Sequence, residues 1–154
     1  MTDLALTTCN PYVNVPDDIE IVFRERLVWA GVKNGVAHEQ HPLPVSVWED
    51  SCSWRSAGLQ SLDEIGRDYR IAYLSAHISG QRAAILADLA IAPIPASCCI
   101  NGIVALGEKQ GLPALTDYAL GMMISKAPSP PVLAAADHLR ASFTNRAMSE
   151  RKSA

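Results

Sequence analysis

The segment from residue 69 to residue 94 constrains the fold most strongly, because it alternates the patterns of a strand, a loop, a helix and a second strand. Tyr69–Leu74 is a short apolar run typical of a strand. An alanine-rich helix is predicted to open at Ser79 or Gly80 and to end near Asp88, and residues 91–94 return as a strand. Strands that alternate with helices of about 10 residues predict an α/β fold with parallel crossovers.

The rest of the chain continues this alternation. Apolar runs predict further strands at residues 3–8, 19–23, 27–31, 45–48, 104–106 and 120–125. Trp54, Gly58 and Leu62 fall on one face of a helix that Ser53 would cap and Gly66 would end. A last amphipathic helix is predicted over residues 132–143, and residues 144–154 are polar and expected to fray.

Composition narrows the class of protein. The chain has 154 residues, of which 49% are hydrophobic, and this is enough for one domain with a real core. Its formal net charge of −3 argues against a basic nucleic-acid surface. No apolar run approaches the roughly 20 residues that cross a bilayer, and the amino terminus does not resemble a signal peptide. We therefore expect a cytoplasmic protein, without membrane contact, whose four cysteines are reduced.

Catalytic and metal-binding motifs are sparse. There is no GxSxG elbow and no glycine-rich phosphate loop. His38 and His41 lead into two prolines rather than a helix, so a metal site is not expected. The adjacent Cys98 and Cys99 are interpreted as buried small side chains. We expect a protein without enzymatic activity, metal or cofactor, although an enzyme that uses Cys98, Cys99 or His77 stays an alternative.

The loop of residues 75–80 lies between the carboxyl end of a strand and the amino end of a helix, which is where ligands bind in open α/β sheets. Free N–H groups and the helix dipole at such a place favour an anion, such as a carboxylate. Ser75, His77 and Ser79 would add side-chain donors. The alternative is an ordinary helix start without a ligand.

Six stretches in this order resemble the effector-binding domain of LysR-type transcriptional regulators over residues 3–143. They are DLALTT, RLVWAG with HPLPVSVWED, WRSAGLQSLDEIG, RIAYLSAHISGQRAAILADLAIAPIPAS, GIVALGEKQGLPAL and SPPVLAAADHLRASF. The resemblance implies an α/β fold like that of type 2 periplasmic binding proteins, with two lobes and a small effector between them. It also implies a homo-oligomer that catalyses no reaction.

The resemblance assigns roles by position. It makes residues 1–37 a remnant of the first lobe, 38–125 the second lobe, 126–143 a final helix returning to the first lobe, and 144–154 a flexible tail. Effector contacts would come from Thr7, Thr8, Ser75, Ala76, His77, Ile78 and Ser79. Trp54, Gly58 and Leu62 would lie on a helix at the dimer interface.

The chain also departs from the family pattern. The winged helix-turn-helix domain and the first strands of the effector domain have no counterpart, so the fold expected is one complete lobe plus a partial first lobe that packs poorly. Its partners would be a small effector and a second copy or an intact paralogous regulator, and DNA only through the absent domain. Alternatives are a stand-alone small-molecule-binding protein on the same fold and a non-functional truncated regulator.

Two residues within the matched stretches allow predictions about the backbone conformation or the strand position. Asp88 stands where the family has glycine and is expected in a left-handed conformation. Pro93 inside a strand predicts an edge position or a bulge.

Overall fold

The structure of the protein is a computed structural model, which describes residues 2–152 and the side chains of residues 2–149. The strands and helices follow the chain in the order β1 (Leu4–Cys9), β2 (Glu20–Glu25), β3 (Leu27–Val32), β4 (Leu43–Val47), α1 (Ser53–Glu64), β5 (Tyr69–Leu74), α2 (Ile78–Leu86), β6 (Ala92–Pro95), β7 (Ile103–Leu106), β8 (Tyr118–Ile124) and α3 (Pro130–Lys152). Short 3₁₀ turns lie at Ala37–Glu39, Ala96–Cys98 and Glu108–Gln110. Within residues 2–152 no helix is both long and apolar enough to cross a membrane.

The chain divides into two compact units. A terminal unit combines Met1–Arg24 with Asp117–Ala154, and a central unit comprises Glu25–Thr116. Strand β3 belongs to the central unit because it is hydrogen-bonded to β6 and β7. The lobe bounds drawn from the resemblance, with a first lobe that runs to residue 37, differ from these and stay a prediction.

The terminal unit is a three-stranded sheet in the order β1-β8-β2, with α3 in contact with β2. Strand β1 pairs antiparallel with β8, from Leu4 opposite Ile124 to Cys9 opposite Ala119. Side chains of β1 are half-buried or exposed, and none is fully buried.

Helix α3 is held to β2 by a contact between two aromatic rings, a cation–π contact and an ion pair. The rings of Phe23 and Phe143 lie 5.7 Å apart, and the Arg146 guanidinium lies 5.1 Å from the centre of the Phe23 ring. Arg140 forms a bidentate pair with the Glu20 carboxylate, at distances between 2.7 and 3.1 Å. The helix continues to Lys152 instead of ending at residue 143, because no glycine or proline interrupts residues 144–152.

The central unit contains two sheets, β6-β3-β7 and β4-β5. Strand β4 pairs in parallel with β5 and makes a parallel bridge from Val45 to Ile91, whereas β3 pairs antiparallel with both β6 and β7. The prediction of an α/β class is therefore confirmed, and the predicted parallel crossover is present where α1 joins β4 to β5, whereas β3 adds antiparallel pairing. The partners of β3 are distant in sequence, because β4, α1, β5 and α2 lie between β3 and β6.

The core of the central unit lies on both faces of β4, all five residues of which are buried. One cluster joins Trp29, Ala37, Leu43, Val45, Val47, Leu62, Ile91 and Leu112. A second cluster joins Ala30, Ile85, Ala92, Ile94 and Ile103. A strand covered on both faces needs a continuous apolar sequence, as Leu43–Val47 has apart from Ser46.

Helix boundaries differ slightly from those predicted. The N-cap of α1 is Cys52, in an extended conformation, so Ser53 is already helical and its prediction as the cap was wrong. Gly66 has φ +66° just beyond α1, as predicted for a C-terminal glycine. Helix α2 opens at Ile78, one residue ahead of Ser79.

The expectations for Asp88 and Pro93 are both confirmed. Asp88 has φ 53°, and its carboxylate accepts hydrogen bonds from the N–H groups of Val36 at 2.8 Å and Ala37 at 3.0 Å. Glycine would adopt this left-handed conformation most easily. Aspartate is explained here because its carboxylate accepts hydrogen bonds from two backbone N–H groups of a turn that is distant in sequence. Pro93 lies on β6, an edge strand.

Candidate functional site

The candidate site lies at the carboxyl end of the parallel pair β4 and β5. Strand β5 ends at Leu74, and α2 starts at Ile78, so residues 75–77 form the predicted connecting loop. The Ser75 N–H donates to the Val47 carbonyl at 3.1 Å, which continues the strand pairing by one residue. The loop therefore begins from a rigid edge of the sheet.

Ser75 shapes the turn itself. Its hydroxyl oxygen accepts a hydrogen bond from the His77 N–H at 3.2 Å, a serine turn that leads the backbone into α2. Gly80, in the first turn of α2, lies directly against Ser75: an added Cβ at residue 80 would clash with the Ser75 hydroxyl. The close approach of loop and helix thus requires glycine at this position.

The buried side chain of Gln81 holds the loop in place through hydrogen bonds. Its side chain is fully buried, and its Nε2 donates to the carbonyls of Val47 at 2.7 Å and Ser75 at 2.9 Å. Its Oε1 accepts a hydrogen bond from the buried hydroxyl of Ser46. A buried amide with all these partners satisfied fixes the geometry of the groups that it joins.

Gln81 and Ser46 were missed in the sequence. The sequence did contain a signal, because both polar residues lie at positions where an apolar residue is expected. Ser46 interrupts an apolar strand, and Gln81 shares a helix face with the buried Ala84 and Ile85. Buried polar side chains are nearly always hydrogen-bonded. Ser46 on β4 and Gln81 on α2 form such a pair, and we call the hydrogen bonds of Gln81 to Ser46, Val47 and Ser75 the brace.

The amino end of α2 presents unused donors. The first intrahelical bond runs from the Gln81 N–H to the His77 carbonyl at 3.2 Å, so the N–H groups of Ile78, Ser79 and Gly80 have no acceptor within the helix. His77 precedes the helix in an extended conformation, and no side chain caps it. Ala76, His77 and Ser79 are exposed. The arrangement can receive a small anion or another hydrogen-bond acceptor.

The other predicted effector residues, Thr7 and Thr8, lie near the end of β1 in the terminal unit, and both are half-buried. The Thr7 methyl group lies over Gly121 of β8, because an added Cβ at Gly121 would be 3.6 Å from it. A role for both threonines in effector binding stays a prediction.

The predicted interface residues of α1 face their own chain. Leu62 is fully buried in the main cluster, and an added Cβ at Gly58 would lie 2.8 Å from the Pro93 side chain. Trp54 packs edge-on against Trp48, with ring centres 4.9 Å apart. The apolar stripe in the sequence thus marks the core-facing side of α1. Any subunit contact through α1 would fall on its exposed side, which carries Ser56, Gln60, Asp63 and Glu64.

Two of the thiols, Cys9 and Cys99, have a raised pKa. Burial, with the neighbouring Cys98 and Glu25, raises the pKa of the Cys99 thiol to about 11, and burial raises the pKa of Cys9. A catalytic cysteine requires the opposite shift, since the thiolate is the nucleophile. Over the described part of the chain, no group of three or more histidine, cysteine or acidic side chains is placed to hold a metal ion.

No protein-family model matches the chain. Among curated proteins, it is similar to the HTH-type transcriptional regulator DgdR of Burkholderia cepacia, with 29% identity over 133 residues. The match covers 84% of this chain but 45% of DgdR, so the chain spans less than half the length of that relative.

Solved structures of similar fold are regulatory domains of LysR-type regulators. The bromide ion-bound regulatory domain of HypT from Salmonella typhimurium superposes with a TM-score of 0.73 at 12% identity, over 94% of this chain and 73% of that one. The CcmR regulatory domain of Synechocystis in complex with 2-PG gives 0.63 at 15% identity, over 93% and 74%. The effector domain of AmpR from Pseudomonas aeruginosa gives 0.63 at 13% identity, over 96% and 75%.

These matches confirm the fold that the sequence resemblance implied. The chain has the mixed α/β fold of LysR regulatory domains, which is like that of type 2 periplasmic binding proteins. The similar proteins are named as transcriptional regulators or domains of them, not as enzymes.

Proposed function

We propose that this chain is the effector-binding part of a LysR-type transcriptional regulator and that it binds a small anionic effector, without catalysis, at the amino end of α2. The observation that carries the proposal is the braced loop. Ser75 and Gln81 hold the start of α2 against β4, while the N–H groups of Ile78, Ser79 and Gly80 have no acceptor in the helix.

The preorganised donors favour an anion over a neutral ligand. Three consecutive N–H groups at the positive end of a helix dipole stabilise negative charge, and the exposed hydroxyl of Ser79 can add a donor. Because the brace fixes the loop in advance, a ligand loses little affinity to ordering the site. Structures of the same fold support this ligand class, since one is bromide ion-bound and another holds 2-PG.

The effector contacts in this proposal follow the positions that the family resemblance implies. Ser75, Ala76, His77, Ile78 and Ser79 would contact the effector, and Thr7 and Thr8 are further candidate contacts. The chain would act in an oligomer of itself or with an intact paralogous regulator. The output on DNA, in the cytoplasm, would require the helix-turn-helix domain of the longer regulators.

Residue 78 offers a sharp test with a matched control. Ile78 is the first residue of α2, and His77 before it has φ −123° and ψ 139°, which suits the residue that precedes a proline. Ile78→Pro therefore keeps the helix and removes one N–H donor, whereas Ile78→Ala removes similar packing and keeps the donor. Binding of succinate, acetate and bromide would be followed by ¹⁵N-labelled amide shifts of Ser79 and Gly80.

The proposal predicts saturable binding of at least one of these anions to wild type and to Ile78→Ala. Ile78→Pro should bind it about tenfold more weakly, since one charge-assisted hydrogen bond is lost. Equal affinities for the proline and alanine variants would overturn the site, as would the absence of saturable shifts with all three anions.

A further inference from the structure

We propose that a cavity beside β3 binds an apolar α-amino acid, with the ligand carboxylate at Arg26, the ammonium group at Glu108 and the ligand side chain inside the cavity. The cavity has a volume of about 170 Å³. Its lining residues all belong to the central unit, Glu25–Thr116, and none of them belongs to the loop or the helix of the candidate site. The inference goes beyond the effector site at α2 and does not depend on it.

The interior of the cavity is apolar. Trp29 on β3 lies opposite Leu106 on β7 in the antiparallel pairing, and both residues line the cavity together with Leu112 and Leu115. Trp29 and Leu112 are buried members of the main cluster, and Leu106 and Leu115 pack against it. The wall of the cavity is therefore part of the hydrophobic core, which favours an aliphatic group of a ligand over a polar one.

The turn after β7 forms one wall of the cavity and is held by hydrogen bonds. The N–H groups of Gln110 and Leu112 donate to the Gly107 carbonyl at 2.9 and 3.1 Å, and the Gly107 N–H donates to Oε1 of Gln110 at 2.9 Å. The Arg67 guanidinium donates to the carbonyls of Gln110 at 3.3 Å and Gly111 at 3.1 Å. Because these contacts hold the wall in place, a ligand loses little affinity to ordering it.

Two side chains of opposite charge, Arg26 and Glu108, also line the cavity, and both are exposed. Among the residues that the structure describes, neither side chain forms an ion pair or a hydrogen bond with the other or with a third group. The guanidinium can donate to a carboxylate, and the Glu108 carboxylate can accept from an ammonium group. An amino acid carries both groups on one carbon and complements both charges. A simple anion would be repelled by Glu108, and a simple amine would be repelled by Arg26.

The volume of the cavity limits the side chain of the ligand. An apolar cavity of about 150 Å³ holds one benzene molecule. A cavity of about 170 Å³ therefore accepts an aliphatic side chain of about four to six carbons. Leucine has a side chain of this size and is the probe for the test.

The indole N–H signals of the ¹⁵N-labelled full chain, followed by nuclear magnetic resonance, test the binding of L-leucine. Trp29 lines the cavity, whereas Trp48 is also buried but is not part of its lining. The Trp29 signal should shift saturably, and the Trp48 signal should stay nearly unchanged. Isocaproate lacks the ammonium group and isoamylamine lacks the carboxylate, so each should bind about fivefold more weakly than leucine or weaker still.

Removal of single charges separates the two polar contacts. Arg26→Gln and Glu108→Gln should each weaken leucine binding about fivefold or more, since each removes one charge-assisted contact. Arg26→Gln should bind isoamylamine at least as tightly as wild type does, and Glu108→Gln should do the same for isocaproate, because the repelling charge is gone. Arg70→Gln and Glu49→Gln remove exposed charges of the same unit outside the cavity and should bind leucine as wild type does.

The proposal is overturned if leucine gives no saturable shift of the Trp29 signal, or if it shifts the Trp48 signal equally. It also fails if isocaproate or isoamylamine binds as tightly as leucine, or if Arg70→Gln and Glu49→Gln weaken binding as much as the cavity variants do. The amide signals of Ser79 and Gly80 report the α2 site in the same spectra. The outcome for the cavity is therefore distinguished from the outcome for the proposed effector site.

Discussion

The side-chain amide of Gln81 donates a hydrogen bond of 2.9 Å to the backbone carbonyl of Ser75. This contact joins the helix to the loop that precedes it, and the second donor of the same amide reaches Val47 at 2.7 Å. The loop, the strand and the helix are therefore tied through one buried group. The direction of the free N–H groups at the start of α2 depends on it.

Replacing Gln81 with methionine should destabilise the chain by about 2–4 kcal/mol, because two carbonyls and the Ser46 hydroxyl lose a buried partner. Urea denaturation would measure the loss. Gln60→Met is the control, since Gln60 is exposed on α1 and bonds only to Glu64 among the contacts described. A loss within about 0.5 kcal/mol for both variants would contradict the brace.

Asp88→Ala should lower the free energy of unfolding by about 2–3 kcal/mol. The substitution removes the acceptors of Val36 and Ala37 and leaves a residue with a Cβ at φ 53°. Asp88→Asn keeps an acceptor and tolerates the left-handed conformation, so its cost should be clearly smaller. Equal losses for alanine and asparagine in chemical denaturation would show that the side-chain bonds contribute nothing.

Cys99 should alkylate slowly in the folded protein. With its pKa raised to about 11 from 9.0, its thiolate fraction at pH 8 falls about 100-fold. Iodoacetamide labelling at pH 8, resolved by peptide mass spectrometry, should therefore modify Cys99 far more slowly in the native than in the urea-unfolded chain. Labelling at the unfolded rate would refute the burial of this thiol.

The Glu20–Arg140 pair should make stability depend on acid pH. The hydrogen bond from Arg140 lowers the pKa of Glu20 below its ordinary value of 4.5. A carboxyl with a lowered folded-state pKa stabilises the fold above its unfolded pKa, and this contribution is lost as the pH falls through the folded value.

Thermal denaturation of Glu20→Gln, compared with wild type, should therefore show a lower Tm at pH 7 and a difference that shrinks below pH 4.5. Asp17→Asn removes another exposed carboxylate from the same unit and serves as control. The account fails here if the Glu20→Gln difference is the same at pH 7 and in acid.

Much of the local structure was predictable because it depends on neighbouring residues. The bounds of β5 agree with the apolar run at Tyr69–Leu74, and Gly66 and Asp88 adopt the left-handed conformations expected of them. Turns and short strands of this kind depend on the types of a few consecutive residues, which the sequence shows directly.

Strand direction and burial were not predictable in the same way. The antiparallel pairing of β3 with β6 depends on contacts distant in sequence. Leu62 was expected at a subunit interface, yet periodicity alone cannot tell whether an apolar stripe covers the chain's own core or a partner. The brace from Gln81 to Ser75 also escaped prediction, because it needs the distance between a helix and a loop.

The most direct test of the effector site is amide chemical-shift mapping of the wild-type chain during titration with succinate, acetate and bromide. Two helix starts can be compared in one experiment, since α1 and α2 both begin without a side-chain cap. The account predicts saturable shifts at Ser79 and Gly80, with small linear changes at Ser53 and Trp54. Shifts of equal size and form at both helix starts would contradict a specific site at α2.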